Sequence, residues 1–218
     1  MSGITYDYME QYIRSLIEES SGELKQLEDY AIENSVPIVH KEVRKFLEIM
    51  INIKKPKTIL ELGTAIGYSS IIMCKASGDN CKIDTIERDL NMVNISKANI
   101  KLYGYDDRIN VLNGECTEVL KNLHGKYDLI FMDAGKAHYN DFLPECLRLL
   151  QEDGVIIADN VLFRGMIASK ELVIRRKITI VKRMRKFLDQ VSKSKELMLS
   201  VIPMGDGIAV ITRRRSYE

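Results

Sequence analysis

Thr58-Ile-Leu-Glu-Leu-Gly-Thr-Ala-Ile-Gly-Tyr-Ser69 is the stretch whose reading decides the fold. A short apolar run, 58–62, leads into a loop bearing Gly63 and Gly67, and the loop opens a helix near Ser69. Runs this short and apolar read as buried parallel strands. Further strands follow at 82–87, 109–113, 128–133 and 154–159. Helical stretches start near Ser69, Asp89, Cys116, Lys136 and Ser169. Such alternation implies βαβ units, a mostly parallel sheet and right-handed crossovers, with helices on both faces. Leu197–Ile202 and Ile208–Thr212 flank Pro203-Met-Gly-Asp-Gly207, a hairpin-like ending that turns the last strands antiparallel. The expectation is an α/β fold with seven strands and one antiparallel last strand.

Upstream, the chain reads as helical. Tyr8, Tyr12, Leu16 and Ile17 recur at helical spacing, as do Leu24, Leu27, Ala31 and Ile32, with Ser20-Ser21-Gly22 as the break. Val43, Phe46, Leu47 and Met50 mark a third amphipathic helix beyond the irregular link at Pro37. Residues 1–54 are therefore expected to form a helical extension packed on a core of residues 55–218.

Two strands end in acids. Asp128-Leu-Ile-Phe-Met-Asp133 and Gly154-Val-Ile-Ile-Ala-Asp159, with Asn160 next, bring three oxygen side chains to adjacent strand ends. In open α/β sheets ligands bind outside the carboxyl ends of the strands. Two carboxylates and an amide make a hard oxygen site suited to Mg²⁺, with Mn²⁺ as an alternative. The plainer possibility is that each acid caps the helix that follows.

Glycine lets the loop turn tightly, and the helix N-terminus offers N–H groups to an anion. Glu87, ending the next strand, can accept hydrogen bonds from two ribose hydroxyls. The loop departs from G-x-G-x-x-G: Ala65 stands at the second glycine and Tyr68 near the third. That spacing suits a smaller anion than pyrophosphate, such as the amino-acid carboxylate of S-adenosylmethionine. Glu61, Gly63, Gly67, Ser69 and Glu87 are thus candidate cofactor residues. Asn113-Gly114-Glu115-Cys116, after the third strand, adds Gly114, Glu115 and Cys116 beside an adenine, or is simply a turn before a helix.

Composition bounds the rest. The chain has 218 residues and is 45% hydrophobic, enough for one full core. Cys74, Cys81, Cys116 and Cys146 lack C-x-x-C spacing, which argues against a zinc site or disulfide framework and for a reducing, cytoplasmic setting. Neither a cleavable signal nor a membrane-spanning run is apparent. The net charge of +1 hides a split: residues 1–163 hold 18 Lys and Arg against 26 Asp and Glu, residues 164–218 hold 14 against 5. Arg164, Lys170, Arg175, Arg176, Lys177, Lys182 and Arg183 lie just past the acid pair, on what reads as an amphipathic helix, and Arg213-Arg214-Arg215 adds a basic tail. This charge either draws a phosphate backbone, an acidic small substrate such as an acyl-CoA thioester, or merely solvates a helix face.

Taken together, Glu61–Ser69, Ile86-Glu87, Met132-Asp-Ala-Gly-Lys136, Ala158-Asp-Asn160 and Pro203–Gly207 resemble the metal-dependent class I O-methyltransferases, catechol and caffeoyl-CoA enzymes among them. Within that group the chain looks most like bacterial tRNA 5-hydroxyuridine methyltransferases. The resemblance implies a Rossmann-like methyltransferase domain, and homodimers are common among such proteins. It implies that Val39 presents its backbone to the cofactor's amino group and that Gly63 and Ser69 hold the methionine moiety. It further implies that Glu87 holds the ribose, that Asp133, Asp159 and Asn160 bind metal, and that Lys136 is the general base. Ala134 and Gly135 depart from the bulky ring residues of catechol-type enzymes.

The resulting expectation is Mg²⁺-assisted methylation of one of two adjacent acceptor oxygens, with Lys136 and Asp133 catalytic. The acceptor is 5-hydroxyuridine in tRNA or, alternatively, a small catechol-like or caffeoyl-CoA-like phenol. A nicotinamide-dependent oxidoreductase and a non-catalytic RNA-binding module are the alternatives of other classes. His138 is a lesser candidate beside Lys136, while His40 and His124 carry no expected role.

Overall fold

A computed structural model describes residues 4–214. Arg215 of the basic tail and the outer ends of both expected domain spans lie outside the described residues. The strands are β1 (Thr58–Leu62), β2 (Lys82–Glu87), β3 (Ile109–Asn113), β4 (Tyr127–Met132), β5 (Leu150–Ala158), β6 (Leu197–Ile202) and β7 (Ile208–Arg213). They form one seven-stranded sheet in the order β3-β2-β1-β4-β5-β7-β6. β1 to β5 run parallel, and β7 pairs antiparallel with both β5 and β6. The order reverses at β1, between β2 and β4, which is where such a sheet opens a ligand crevice.

Side-chain alternation builds two cores from the same strands. Ile59, Leu129, Phe131, Val155 and Ile157 face a cluster completed by α3 (Lys41–Lys54), α4 (Tyr68–Ala76) and α5 (Leu90–Leu102). Leu60, Leu62, Ile130, Met132, Ile156 and Ala158 face the other cluster, with α6 (Cys116–Asn122), α7 (Tyr139–Leu149) and α8 (Ile178–Ser192). Both faces being covered explains the unbroken apolar runs. Leu27 and Ala31 of α2 (Gly22–Glu33) join Val43, Leu47 and Ile51 of α3 in the first cluster, so these helices share the sheet's core.

Three expectations are corrected. The apolar stripe of α1 (Asp7–Ser15) faces outward: Tyr8, Tyr12 and Leu16 are exposed. The buried α1 residue is Glu10, and Arg14 ties the helix down through two bonds to Glu42, at 2.9 and 2.8 Å. Second, no helix starts at Ser169; a turn-rich segment runs to a single 3₁₀ turn at Arg175–Lys177, and α8 begins at Ile178. Asn160, Phe163, Arg164 and Gly165 all have positive φ, which no right-handed helix accepts. The helical spacing places Ile174, Ile178, Val181, Met184 and Leu188 on one apolar face; Val181 and Met184 are buried there, with Phe187 and Val191, but Ile174 and Ile178 are exposed. Third, Asp133 and Asp159 sit just past their strands, because β4 ends at Met132 and β5 at Ala158. Among the described residues, no helix is long and apolar enough to cross a membrane.

Candidate active site at the carboxyl ends of the strands

The loop after β1 depends on left-handed backbone. Gly63, Ala65 and Gly67 have φ of 98°, 46° and 86°. At Gly63 an added Cβ would lie 3.1 Å from Asp133 O and from Ala134 Cβ, so glycine is required both for the turn and for the close approach of β4. Ala65 holds its unfavourable conformation because its N–H donates to Glu87 Oε2 at 2.9 Å, across from β2. The other Glu87 oxygen accepts from Asp89 N at 2.9 Å.

A cavity of about 460 Å³ opens above this loop. Its lining contains Val39, Gly63, Ser69, Glu87, Glu115, Cys116, Asp133, Lys136, Asp159 and Asn160 from the sequence-derived set. Glu61, Gly67 and Gly114 do not line it. Gly67 caps α4, and Gly114 packs against Val119. Glu61 is wholly buried beneath the loop, where its Oε2 accepts from Ser70 and Thr85 and its Oε1 has no hydrogen-bond partner among the described residues. Residues not anticipated also line the cavity, notably Tyr68, Thr117, Phe142 and His40. His40 had no expected role; its only sequence signal is its place one residue after Val39 in the Pro37 link. His138 lines the cavity but is exposed and pairs with Asp141 at 3.0 Å.

At one end of the cavity the three oxygen side chains meet. Asn160 donates from Nδ2 to Asp133 Oδ1 at 2.9 Å, and Asp159 Oδ1 accepts from Asn160 N at 2.6 Å. Burial pushes both carboxyls well up, and the Asp133 charge pushes Asp159 further. Lys136 and the bonds from Asn160 pull in the opposite direction. Two carboxylates that repel one another, Asp159 buried and Asp133 half-buried, fit a divalent cation, with the Asn160 amide turned to offer its oxygen. The helix-cap alternative fails here: neither acid accepts from the first turn of α7 or α8, and α7 follows a 3₁₀ turn at Lys136–His138.

The donor end also fits its expected guest. Gly63, Tyr68 and Ser69 bring the N-terminus of α4 to the cavity, suited to a carboxylate. Glu87 stands at the distance of one strand, suited to a ribose. Cys116 is inert as a nucleophile, its thiol raised to about 12 by burial and by Glu87 and Glu115.

A second cavity of about 530 Å³ adjoins the first and shares His40, Lys136 and Asn160 with it. Phe163, Arg164, Arg176, Lys177 and Asp206 complete much of its wall. The Nζ atoms of Lys136 and Lys177 lie 5.6 and 5.9 Å from the Phe163 ring centroid. Of the basic residues named from sequence, Lys170, Arg175, Lys182 and Arg183 are not part of this wall. Arg183 pairs instead with Asp141 at 3.3 Å. Arg185 is structural, donating to Ile167 O and Met166 O at 2.8 and 3.0 Å.

Fold, glycine loop and oxygen trio define a class I methyltransferase, and the chain belongs to the O-methyltransferase family, whose model matches residues 15–214. It is 29% identical over 173 residues to a catechol O-methyltransferase of Niastella koreensis, covering 77% of this chain and 78% of that one. A caffeoyl-CoA O-methyltransferase of Populus kitakamiensis is 27% identical, over 82% and 78% of the two chains. Among solved structures, a Staphylococcus aureus protein provisionally described as a caffeoyl-CoA O-methyltransferase superposes with a TM-score of 0.88 at 29% identity, covering 95% and 100%. A Bacillus cereus O-methyltransferase in complex with S-adenosylhomocysteine shares the fold at a TM-score of 0.83 and 22% identity, covering 95% and 97%. The chain is an S-adenosylmethionine-dependent O-methyltransferase of the catechol and caffeoyl-CoA type, and the nicotinamide alternative is set aside.

Glu61 yields a prediction independent of turnover. Burial, despite bonds from Ser70 and Thr85, raises its carboxyl from 4.5 to about 7. The native state therefore holds a proton that the unfolded chain releases between those values. Its contribution to stability is full below pH 4.5 and is lost as pH rises to about 7. That contribution is on the order of 3 kcal/mol. Glu61→Gln is expected to flatten this part of the profile relative to wild type, measured by urea denaturation at pH 5 and pH 8. Equal profiles would show that Glu61 ionises normally.

Proposed function

We propose that the protein methylates a hydroxyl that has a second oxygen on the neighbouring atom, with Asp133, Asp159 and Asn160 holding Mg²⁺ or Mn²⁺. The convergence of these three side chains beside Lys136 is the observation that carries this reading. S-adenosylmethionine supplies the methyl group. A bound divalent cation would favour ionisation of the acceptor hydroxyl. Asp133, Asp159 and Asn160 would hold such a cation and leave it able to take two neighbouring acceptor oxygens, which would select for such acceptors. Lys136 Nζ, at the junction of the two cavities, would accept the hydroxyl proton in its neutral form, beside a bound divalent cation. Val39, Ser69 and Glu87 fix the donor, and fixed orientation of both reactants can contribute roughly 7–11 kcal/mol.

The names of the relatives favour a small catechol-like or caffeoyl-CoA-like acceptor. A second reading, 5-hydroxyuridine in tRNA, is supported by the wall of the adjoining cavity: Arg164, Arg176 and Lys177 surround the acceptor side without ion-pair partners among the described residues. A hydroxyuridine offers its 5-hydroxyl beside the 4-carbonyl, and its phosphates would meet these cations. One experiment separates the readings. Radiolabelled methyl transfer is measured to a catechol, to caffeoyl-CoA and to tRNA from a strain lacking the protein, with wild type and with Arg176→Glu/Lys177→Glu. For a tRNA acceptor the double reversal is expected to cut transfer on the order of 100-fold, with a reduced salt dependence. Transfer confined to the catechol, unchanged by the reversal, would establish the small-phenol reading.

The outward face of α1 carries Tyr6 and Tyr8, stacked at 5.4 Å, together with Tyr12 and Leu16. We propose that this face is covered in a homodimer, with sedimentation of wild type against Tyr8→Lys/Tyr12→Lys as the measurement. A wild-type monomer at micromolar concentration would exclude it.

A further inference from the structure

The segment after β5 carries Asn160 and Phe163 on a backbone that does not hold itself. Asn160, Phe163 and Arg164 have φ of 62°, 43° and 55°, a conformation unfavourable for a bulky ring. Support comes from the turn between β6 and β7, some 40 residues later. Val161 N donates to Gly207 O at 2.9 Å, and Leu162 N and Phe163 N donate to Asp206 O at 3.0 and 3.3 Å. Arg164 N donates to the Asp206 side chain, Oδ1, at 2.5 Å. Four successive N–H groups thus end on two residues of one turn. The two backbones are pressed together: a Cβ at Gly207 would lie 2.4 Å from Leu162 Cγ and 2.8 Å from Leu162 N. Asp206 is buried, and Lys136, Arg164, His40 and Asp159 are the charged or titratable groups around it.

We propose that Asp206 is a positioning residue for the metal site: its carboxylate oxygen fixes the 160–164 segment and thereby aims Asn160 at Asp133. The proposal rests on the reading of Asp133, Asp159 and Asn160 as the cation's holders. A side chain is used at the one point, Arg164 N, where the turn's own carbonyls no longer reach. The left-handed Phe163 and Arg164 would otherwise relax, and Asn160, one strand end away, would turn with them. What the site needs from Asp206 is therefore an acceptor atom at a fixed place, and the charge is secondary.

The test uses the full-length protein saturated with S-adenosylhomocysteine, so that no turnover enters. Mn²⁺ binding is followed by electron paramagnetic resonance, S-adenosylhomocysteine binding by calorimetry and folding by thermal denaturation. Asp206→Ala is expected to weaken Mn²⁺ binding on the order of 10–100-fold, as loss of a residue supporting a metal ligand does. Cofactor affinity should stay within about twofold. Asp206→Asn, which keeps an oxygen for Arg164 N, should bind Mn²⁺ nearly as wild type does. If the alanine variant does not fold, Asp206→Glu takes its place: charge is kept, the acceptor moves by one methylene, and Mn²⁺ binding should fall. Wild-type Mn²⁺ affinity in Asp206→Ala or Asp206→Glu would overturn the proposal, as would equal loss in Asp206→Asn and Asp206→Ala. Parallel loss of Mn²⁺ and cofactor binding would reduce Asp206 to a general brace and overturn it too. Absence of Mn²⁺ binding in wild type would instead strike the reading of the oxygen trio, and the proposal with it.

Discussion

Asp159→Ala is expected to lower methyl transfer by on the order of 10³-fold while leaving S-adenosylhomocysteine affinity within a few fold. The reasoning starts from burial. Asp159 is 3% exposed, its Oδ1 is bonded to Asn160 N, and its charge is opposed by Asp133. Such a pair is costly unless a cation lies between its members. On the proposed reading, removing one carboxylate would take away a cation ligand and leave the acceptor hydroxyl to ionise unaided. The donor end, built by Gly63, Ser69 and Glu87, is untouched. Relief of the repulsion also means that the variant should melt no lower than wild type in chelator, an unusual result for a buried site. Turnover assayed with and without chelator, beside calorimetry with S-adenosylhomocysteine, measures both halves. Undiminished turnover would refute the metal assignment.

The second large effect lies away from the chemistry. Glu28→Ala should destabilise the protein by about 3 kcal/mol, because it strips the nearer of two carboxylates from a buried guanidinium and leaves only Glu48 at 3.9 Å. Glu28 Oε1 accepts from Tyr68 Oη at 2.5 Å and Ser20 Oγ at 2.7 Å, and it pairs with Arg44 Nη1 at 3.3 Å. The Arg44 side chain is 5% exposed and also donates to Glu18 O at 3.2 Å. Burial and the Glu28 carboxylate push the Tyr68 phenol up, so it remains a donor throughout the working pH range. Tyr68 lines the donor cavity at the start of α4, so the network joins α2 and α3 to the cofactor loop. Thermal denaturation should show a drop on the order of 10 °C. S-adenosylhomocysteine affinity should fall with it, because Tyr68 loses its anchor. Glu28→Gln keeps an acceptor and should lose less. A melting point unchanged in Glu28→Ala would mean that water already serves Arg44.

The sheet was legible because each strand carries its own pattern. Ile59 and Leu60, or Ile156 and Ile157, need only alternate to serve two faces, and the acids closing β4 and β5 follow at once in sequence. The glycine loop was legible for the same local reason. What escaped was set by distant partners. Nothing near Glu28 announces Tyr68, 40 residues on. The basic run after Asn160 has helical spacing throughout, but the turn at Asp206 holds Phe163 and Arg164 on a left-handed path, and the helix begins only at Ile178. Glu61 reads as part of a cofactor loop, yet β1 ends by turning its side chain inward beneath that loop, toward Ser70 and Thr85. The basic residues divide by the same logic: Arg164, Arg176 and Lys177 reach a cavity, whereas Arg183 and Arg185 are spent on neighbours.

β7 enters the sheet between β5 and β6, though it is the last strand to be made. A ribosome extruding this polypeptide would therefore release Asp159 and Asn160 long before Asp206 and Gly207 arrive to brace the segment that follows them. Until then β5 is an open sheet edge, with Ile156 and Ile157 lacking their final neighbours. Competence for catalysis is consequently gained in one late step, when the returning hairpin seals that edge, and a nascent chain stalled before residue 203 should acquire the donor crevice without a working acceptor side.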